Sequence, residues 1–397
     1  MTNETFPRAT LGVRAGIETD QQYGAVVPPL HLSSTYAFAG FDCPRSHDYS
    51  RSGNPTRDLL AEALCRMEGG AAATVTATGM AAITTVLQLL EPGDRVLATA
   101  DCYGGSWRIL DALAGRGAFE VEWVDFHDAG QWSDRLDDSV SMVWLETPTN
   151  PLLRISDIQA IAKAAHAVGA RVVVDNTFLS PALQRPLALG ADIVVHSTTK
   201  YINGHSDVLG GAVISACAAT GERLAWWANC LGLTAGAFDC WLTLRGLRTL
   251  DVRIQRHQQN ARAMAELLVG HPAVERVFYP GLENHPDREL VERQQRGPGG
   301  IVSFELAGGE CAVRAFLDGL QIFSLAESLG GVETLLAHPA TMTHAAMSAK
   351  ARLRAGIGEG LLRLSVGLED QRDLGDELLR ALARAQRADH GIQRAQA

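Results

Sequence analysis

The stretch ADIVVHSTTKYINGHSD (residues 191–207) carries an apolar, β-branched run into a lysine, Lys200, flanked by hydroxyl residues. Ile193, Val194 and Val195 make a strand with no polar face, the pattern of a parallel strand covered by helices on both sides. Similar runs stand upstream: ATVTA (73–77), RVLATA (95–100), FEVEWV (119–124), SMVWLE (141–146) and RVVVD (171–175). Between them lie segments with helical spacing, including LLAEALCRMEG (59–69), GMAAITTVLQLL (79–90) and DIQAIAKAAHAVG (157–169). Short strands separated by helices of ten or more residues imply βαβ crossovers and a mainly parallel sheet.

Outward from this core the pattern changes twice. Residues 1–58 are rich in turn formers, as in VVPPLHLSSTY (26–36) and HDYSRSGNPTR (47–57), with too few periodic apolar positions for a core of their own. This arm must rest on something else. After the strand-like GGAVISA (210–216), Glu222 to Leu268 reads as helical, broken near Gly232–Gly236. Beyond it, AVERVFY (273–279), IVSFELAG (301–308), CAVRAFLDGL (311–320), LLRLSVGL (361–368) and DLGDELLRALARA (373–385) predict a smaller α/β layer. We therefore expect an arm over 1–58, a large domain over 59–255 and a C-terminal domain over 256–397. The polar end ADHGIQRAQA (388–397) reads as a loose tail.

A chain of 397 residues suits two domains. Hydrophobic residues make up 46% and charged residues 20%, an ordinary globular balance, and no apolar run approaches the ~18 residues of a membrane span. The opening residues lack the layout of a secretory signal, so the expected location is the cytoplasm. Seven scattered cysteines with no C-x-x-C spacing read as reduced thiols. A formal charge of −10 argues against a nucleic-acid surface and for a protein that handles small molecules.

Four segments carry chemistry. Ser197 and Thr199 share strand parity, so both hydroxyls could face one anion while Lys200 points its amine into a cleft. A lysine that condenses with an aldehyde cofactor needs that setting. By itself, a surface charge is the commoner reading of such a lysine. Asp175 ends an all-apolar strand, where a protonated ring nitrogen would satisfy it; a helix cap or turn aspartate is the competing reading. Thr78-Gly79-Met80 opens a helix whose first N–H groups suit a phosphate, a weak signal alone. Tyr103 follows a strand and precedes two glycines, placed either to stack on a flat ring or simply to pack. Neither a dinucleotide fingerprint nor a P-loop is present. His196, His205, Asp207, His338 and His344 lack metal-ligand spacing, so no metal is expected.

Taken together and in order, DYSRSGNPTRD (48–58), DCYGGS (101–106), ETPTNPLLRISDI (146–158), VVDNTFLSPALQRPLALGAD (173–192), HSTTKYINGHSDV (196–208), AWWANCLGLTAGAFD (225–239), FSLAESLGGVET (323–334) and RLSVGLED (363–370) resemble the Cys/Met-metabolism enzymes that use pyridoxal 5′-phosphate (PLP), with the bacterial γ-synthases as the nearest branch. The resemblance implies the aminotransferase-like architecture called PLP fold type I. It assigns Lys200 as the cofactor's covalent anchor, Asp175 to the pyridine nitrogen, Tyr103 to the ring face and a proton-transfer role, and Gly79, Met80, Ser197 and Thr199 to the phosphate. Tyr49 and Arg51 would reach the phosphate of a neighbouring subunit, in a homotetramer built as a dimer of dimers with shared active sites. Arg363 would hold the substrate α-carboxylate, with Ser328, Asn150, Glu327, Asp48 and Arg108 contributing to amino-acid binding. The implied reaction is γ-replacement, in which O-succinylhomoserine or another O-acylhomoserine and L-cysteine give cystathionine. Cystathionine γ-elimination and O-acylhomoserine sulfhydrylation are the alternatives.

Overall fold

The computed structural model describes residues 6–345, 347, 350, 352 and 355–396, with side chains as far as Ala388. A short helix α1 (Arg8–Val13) begins the described chain, and an irregular arm leads to α2 (Pro55–Glu68). Local chemistry fixes both ends of α2. The Asn54 side chain accepts the Thr56 and Arg57 N–H groups, Pro55 occupies the first turn, and Gly69 closes the helix in the left-handed region at φ 78°. The arm is held to the body by polar ties: Arg8 donates to Ala182 O at 3.1 Å and Trp241 Nε1 donates to Pro28 O at 3.1 Å. Tyr23, Leu32, Phe38 and Phe41 on this arm are exposed.

The large sheet has seven strands in the order β1-β7-β6-β5-β4-β2-β3. They are β1 (Ala72–Thr76), β2 (Arg95–Thr99), β3 (Glu120–Val124), β4 (Val140–Glu146), β5 (Arg171–Asp175), β6 (Ile193–His196) and β7 (Gly211–Ser215). Neighbours from β3 through β6 run parallel, and β7 is antiparallel to both β6 and β1. Helices α3 (Gly79–Leu87) and α4 (Gly104–Ala114) cover one face with Ile83, Val86 and Leu110 against Trp144, Val173 and Val195. Helix α2 and α6 (Ile158–Ala167) contribute to the clusters on the other face. Each large side chain buried this way contributes ~1.5–3 kcal/mol, which accounts for the all-apolar strands.

After the four-residue α5 (Ala129–Trp132) and α7 (Ser180–Leu183), the chain continues through α8 (Ala218–Cys230), α9 (Ala237–Leu247) and α10 (Leu250–Leu268). The break at Gly232–Gly236 is present, and Arg248 and Thr249 form a second. Residue 256 lies inside α10. A five-stranded sheet follows in the order β10-β11-β12-β9-β8. Its members are β8 (Val274–Phe278), β9 (Ile301–Leu306), β10 (Ser324–Leu325), β11 (Leu335–Ala337) and β12 (Leu361–Ser365), with α11 (Arg288–Gln294), α12 (Gly309–Leu317) and α13 (Gln371–Gln396). Phe304 and Phe316 meet at 5.6 Å between ring centres in the core beneath α10, α12 and α13.

The C-terminal segment departs from the sequence reading. Instead of a loose tail, residues 388–396 continue α13. The packed turns Leu374, Leu378, Ala381, Leu382 and Ala385 nucleate the helix, and adding one residue to an existing helix needs no new nucleus. Among the described residues, no helix is long and apolar enough to cross a membrane.

Candidate active site

Strands β4, β5 and β6 end side by side, and each ends on a polar residue: Glu146, Asp175 and His196. The carboxyl ends of parallel strands are where open α/β sheets form their ligand crevice. Here they border a cleft of about 380 Å³ whose far wall comes from β12 and the Glu327–Leu329 segment.

Strand β6 stops at His196, so the strand parity expected for Ser197 and Thr199 does not continue. A turn replaces it: the Lys200 N–H donates to Ser197 O at 3.2 Å and the Asn203 N–H to Thr198 O at 2.9 Å. The turn still brings Ser197, Thr199 and Lys200 to the cleft. Thr199 is partly engaged already, because its hydroxyl accepts the Gly210 N–H at 2.9 Å and lies 3.2 Å from Gly210 O. Lys200 Nζ donates to Ser328 Oγ at 2.6 Å. Burial and Arg363 pull the Lys200 ammonium down from 10.5 to about 8, with Glu327 opposing. This amine gives up its proton far more readily than a surface lysine.

Across the cleft, Arg363 is buried on β12 and is already oriented. It donates from Nη1 to Asn150 Oδ1 at 3.0 Å and from Nη2 to Ser328 O at 2.8 Å. Ser328 holds a left-handed backbone at φ 89°, an uncommon conformation for a non-glycine residue. On the near side, Thr78 caps α3 by accepting the Ala81 N–H at 2.9 Å, leaving the Gly79 and Met80 N–H groups at the open end of the helix. A Cβ on Gly79 would lie 2.8 Å from Ser197 Cβ, so only glycine allows this approach.

The predicted residues therefore fall into two groups. Lys200, Asp175, Tyr103, Gly79, Met80, Ser197, Thr199, Arg363, Glu327, Ser328 and Asn150 all line one cleft. Asp48, Tyr49 and Arg51 do not reach the cleft of their own chain. Asp48 accepts the Tyr49 N–H and the Ser52 hydroxyl, and Arg51 donates to Asn229 O at 2.9 Å. Arg108 lies on α4 outside the lining but close enough to Tyr103 to oppose the effect of burial, which pushes the tyrosine hydroxyl up.

Sequence reading missed Glu146, Thr177, Phe178 and Thr343, which share the lining. Glu146 was visible as an acid ending an apolar strand, the same signal that marked Asp175. His196, considered above for a metal, instead meets Glu68 Oε1 at 2.7 Å with both side chains fully buried, and Asn176 Nδ2 donates to the same oxygen at 2.9 Å. Among the described residues, no group of three or more His, Cys, Asp or Glu side chains is placed to hold a metal ion.

The model of the Cys/Met metabolism PLP-dependent enzyme family matches residues 9–383. The chain belongs to that family. It is 54% identical over 371 residues to cystathionine gamma-synthase of Escherichia coli, covering 93% of this chain and 96% of that protein. It is 45% identical to cystathionine gamma-lyase of Dictyostelium discoideum, over 93% of this chain and 96% of that one. Among solved structures, cystathionine gamma synthase from Xanthomonas oryzae pv. oryzae, in complex with aminoacrylate and cysteine, superposes with a TM-score of 0.95 at 58% identity, covering 96% of this chain and 99% of that chain. The fold is thus PLP fold type I, and the protein is a PLP-dependent enzyme of the cystathionine synthase and lyase group.

The residues present fit PLP as this family's cofactor. A carboxylate at the inner end of the cleft, Asp175, receives the Thr177 N–H at 3.0 Å, and burial raises its pKa against the opposing effects of Thr177 and His196, so a cation on the cleft side would favour its charged form. A protonated ring nitrogen supplies that cation. The open N-terminus of α3, with the Gly79 gap and Ser197, suits a phosphate. Between them stands a lysine amine already lowered to about 8.

Proposed function

We propose that this enzyme catalyses γ-replacement, joining the γ-carbon of an O-acylhomoserine, O-succinylhomoserine in particular, to the sulfur of L-cysteine to form cystathionine. The observation that carries this reading is the juxtaposition of Glu327, Lys200 and Arg363 in one cleft. A buried arginine at one end suits the α-carboxylate of the first amino acid. An acidic residue further along suits the ammonium group of a second amino acid. The higher identity to the synthases, 54% and 58%, than to the 45% lyase also favours synthesis.

Bound PLP supplies an electron sink for negative charge developing on the substrate carbons. The chain's own groups do the rest. Arg363 grips the α-carboxylate in a forked pair, its plane already set by Asn150 and Ser328. Asp175 holds the ring nitrogen protonated, and Tyr103 covers the ring face. With the substrate held by Arg363, the Lys200 amine would be free to remove the Cα proton. Its depressed pKa keeps a useful fraction neutral near pH 8. The Cα proton would be handed on through Tyr103 to the bound substrate, freeing Lys200 to take a Cβ proton. The acyloxy group would leave from Cγ as a carboxylate, the thiol of cysteine would cede its proton to Tyr103 and add there, and the Cβ and Cα protons would then be returned. Ser328, 2.6 Å from Lys200 Nζ, steers the amine between these positions. Gly79, Met80, Ser197 and Thr199 hold the phosphate, while Arg108 borders the distal site from beside Tyr103 and Asp48 would reach that site from the arm of a neighbouring subunit.

Tyr49 and Arg51 complete the phosphate site of a neighbouring subunit, in a homotetramer of two catalytic dimers. The exposed aromatic residues of the arm support this, since Phe41 is fully exposed in the single chain. A cytoplasmic setting fits the substrates.

The same cleft suits cystathionine as substrate, because Glu327 would face its distal ammonium in either direction. Initial rates with O-succinylhomoserine plus cysteine, compared with ketoacid release from cystathionine alone, separate the two. Faster synthesis is expected. Ketoacid release that far outpaces it would overturn the assignment.

A further inference from the structure

Glu146 and Asp175 are direct register partners at the carboxyl ends of adjacent parallel strands. Neighbouring strands lie about 4.8 Å apart and register partners point to the same face, so the two carboxyl groups stand side by side. Both line the cleft. Asp175 Oδ1 accepts the Thr177 N–H at 3.0 Å, and the nearby Thr177 side chain also favours its charged form. The Thr177 hydroxyl oxygen itself accepts the Ser197 N–H at 2.9 Å. Glu146, only 4% exposed, has one donor among the described residues: the Tyr103 N–H, 2.7 Å from Oε2.

The charged and titratable groups facing Glu146 are Asp175 from β5, Asp101 and Cys102 from the loop after β2, Tyr103 at the start of α4, and Arg363 from β12. Two of these are acids. Arg363 is the cation that favours the charged form of Glu146, and its Nη groups are directed at Asn150 and Ser328. Among the described residues, no cationic side chain is hydrogen-bonded to Glu146, and an ionised Asp175 beside it opposes a second negative charge.

We propose that Glu146 stays protonated in the working enzyme and acts as the neutral positioning partner of Asp175, leaving Asp175 the sole negative charge at the inner end of the cleft. Burial, with Asp175 next, pushes the Glu146 carboxyl well above its ordinary range. One oxygen tethers the Tyr103 backbone, which sets the ring over the cleft, while the acid's O–H remains a donor. Asp175 can then pair with the ring nitrogen without a competing carboxylate. The inference rests on the roles proposed for Asp175 and Tyr103 and is independent of whether the enzyme makes or cleaves cystathionine.

The test is infrared difference spectroscopy on both apoenzyme and holoenzyme without substrate, comparing wild type with Glu146→Gln at neutral pH. The wild type should show the carbonyl stretch of a protonated carboxylic acid, and Glu146→Gln should lack it. Glutamine is neutral and keeps an acceptor for the Tyr103 N–H. It should therefore leave the pH dependence of the cofactor absorbance in place and recover at least about tenfold of the kcat lost in Glu146→Ala. No band removed by Glu146→Gln, or a Glu146→Gln enzyme as impaired as Glu146→Ala with its acid limb displaced, would overturn the proposal. The band is read without turnover, so a wrong reaction assignment leaves its outcome intact.

Discussion

Lys200 is held at a cost that an apolar side chain would not incur, and Lys200→Met should make the cofactor-free protein more stable. In the folded apoenzyme, burial and Arg363 lower the ammonium pKa from 10.5 to about 8. At about 1.36 kcal/mol per pH unit, that fall corresponds to about 3 kcal/mol of penalty below pH 8. Water in the open cleft screens part of it, and methionine forfeits the 2.6 Å bond to Ser328. The net gain expected at pH 7 is about 2 kcal/mol. The sign with pH is definite. Because the unfolded chain binds this proton more tightly, the wild type gains stability as pH rises from about 8 towards 10.5, while Lys200→Met lacks that contribution. Urea unfolding of both apoenzymes at one fixed subunit concentration reads the difference. Parallel stability-versus-pH curves, or a less stable variant at pH 7, would refute this account of Lys200.

Three other perturbations probe separate parts of the cleft. Arg363→Lys keeps the charge but loses the fork shared with Asn150 and Ser328, so KM for the amino-acid substrate should rise about 30- to 100-fold; an unchanged KM would remove Arg363 from carboxylate binding. Gly79→Ala places a Cβ 2.8 Å from Ser197 Cβ in the phosphate cradle. Cofactor affinity, read by fluorescence titration of the apoenzyme, should weaken at least about tenfold while the fold survives, and wild-type affinity would argue against the cradle. Subunit-exchanged hybrids of inactive Lys200→Ala and Arg51→Ala chains should regain activity if Arg51 acts in the neighbouring site, and hybrids that stay inactive count against it.

What was legible in the sequence followed from local pattern. An all-apolar strand ending in Asp175, another running out to Lys200 and a Thr-Gly opening of an amphipathic helix are signals confined to a few residues. Packing merely sets them side by side. Glu146 was less accessible for a physical reason. Its significance lies in being the register partner of Asp175, 29 positions away in the chain, and parallel-strand register is set by crossover helices rather than by anything in the ETPTNP segment. The strand parity drawn for Ser197 and Thr199 failed similarly, since β6 ends at His196 and a hydrogen-bonded turn delivers the same residues by another route. Arg51 poses the converse problem: in one chain it meets Asn229, and its proposed partner belongs to another subunit.

These cases point to how the cleft divides its labour. The three strands end on two acids and a histidine, and the two acids, Glu146 and Asp175, are register partners that both face the cleft, each with a backbone donor. His196 turns to the opposite face and closes on Glu68, away from the cleft. Glu146 faces the cleft with a single backbone donor. The sheet thus sets Glu146 and Asp175 in equivalent positions, and the layer of groups around each, with the ring nitrogen proposed for Asp175, would decide which one is ionised. That layer is assembled from Thr177, Tyr103, Asn176 and Glu68, residues whose roles depend on distant neighbours. A chain can therefore display its cofactor chemistry in short motifs while the distribution of charge within the site emerges only from the folded register.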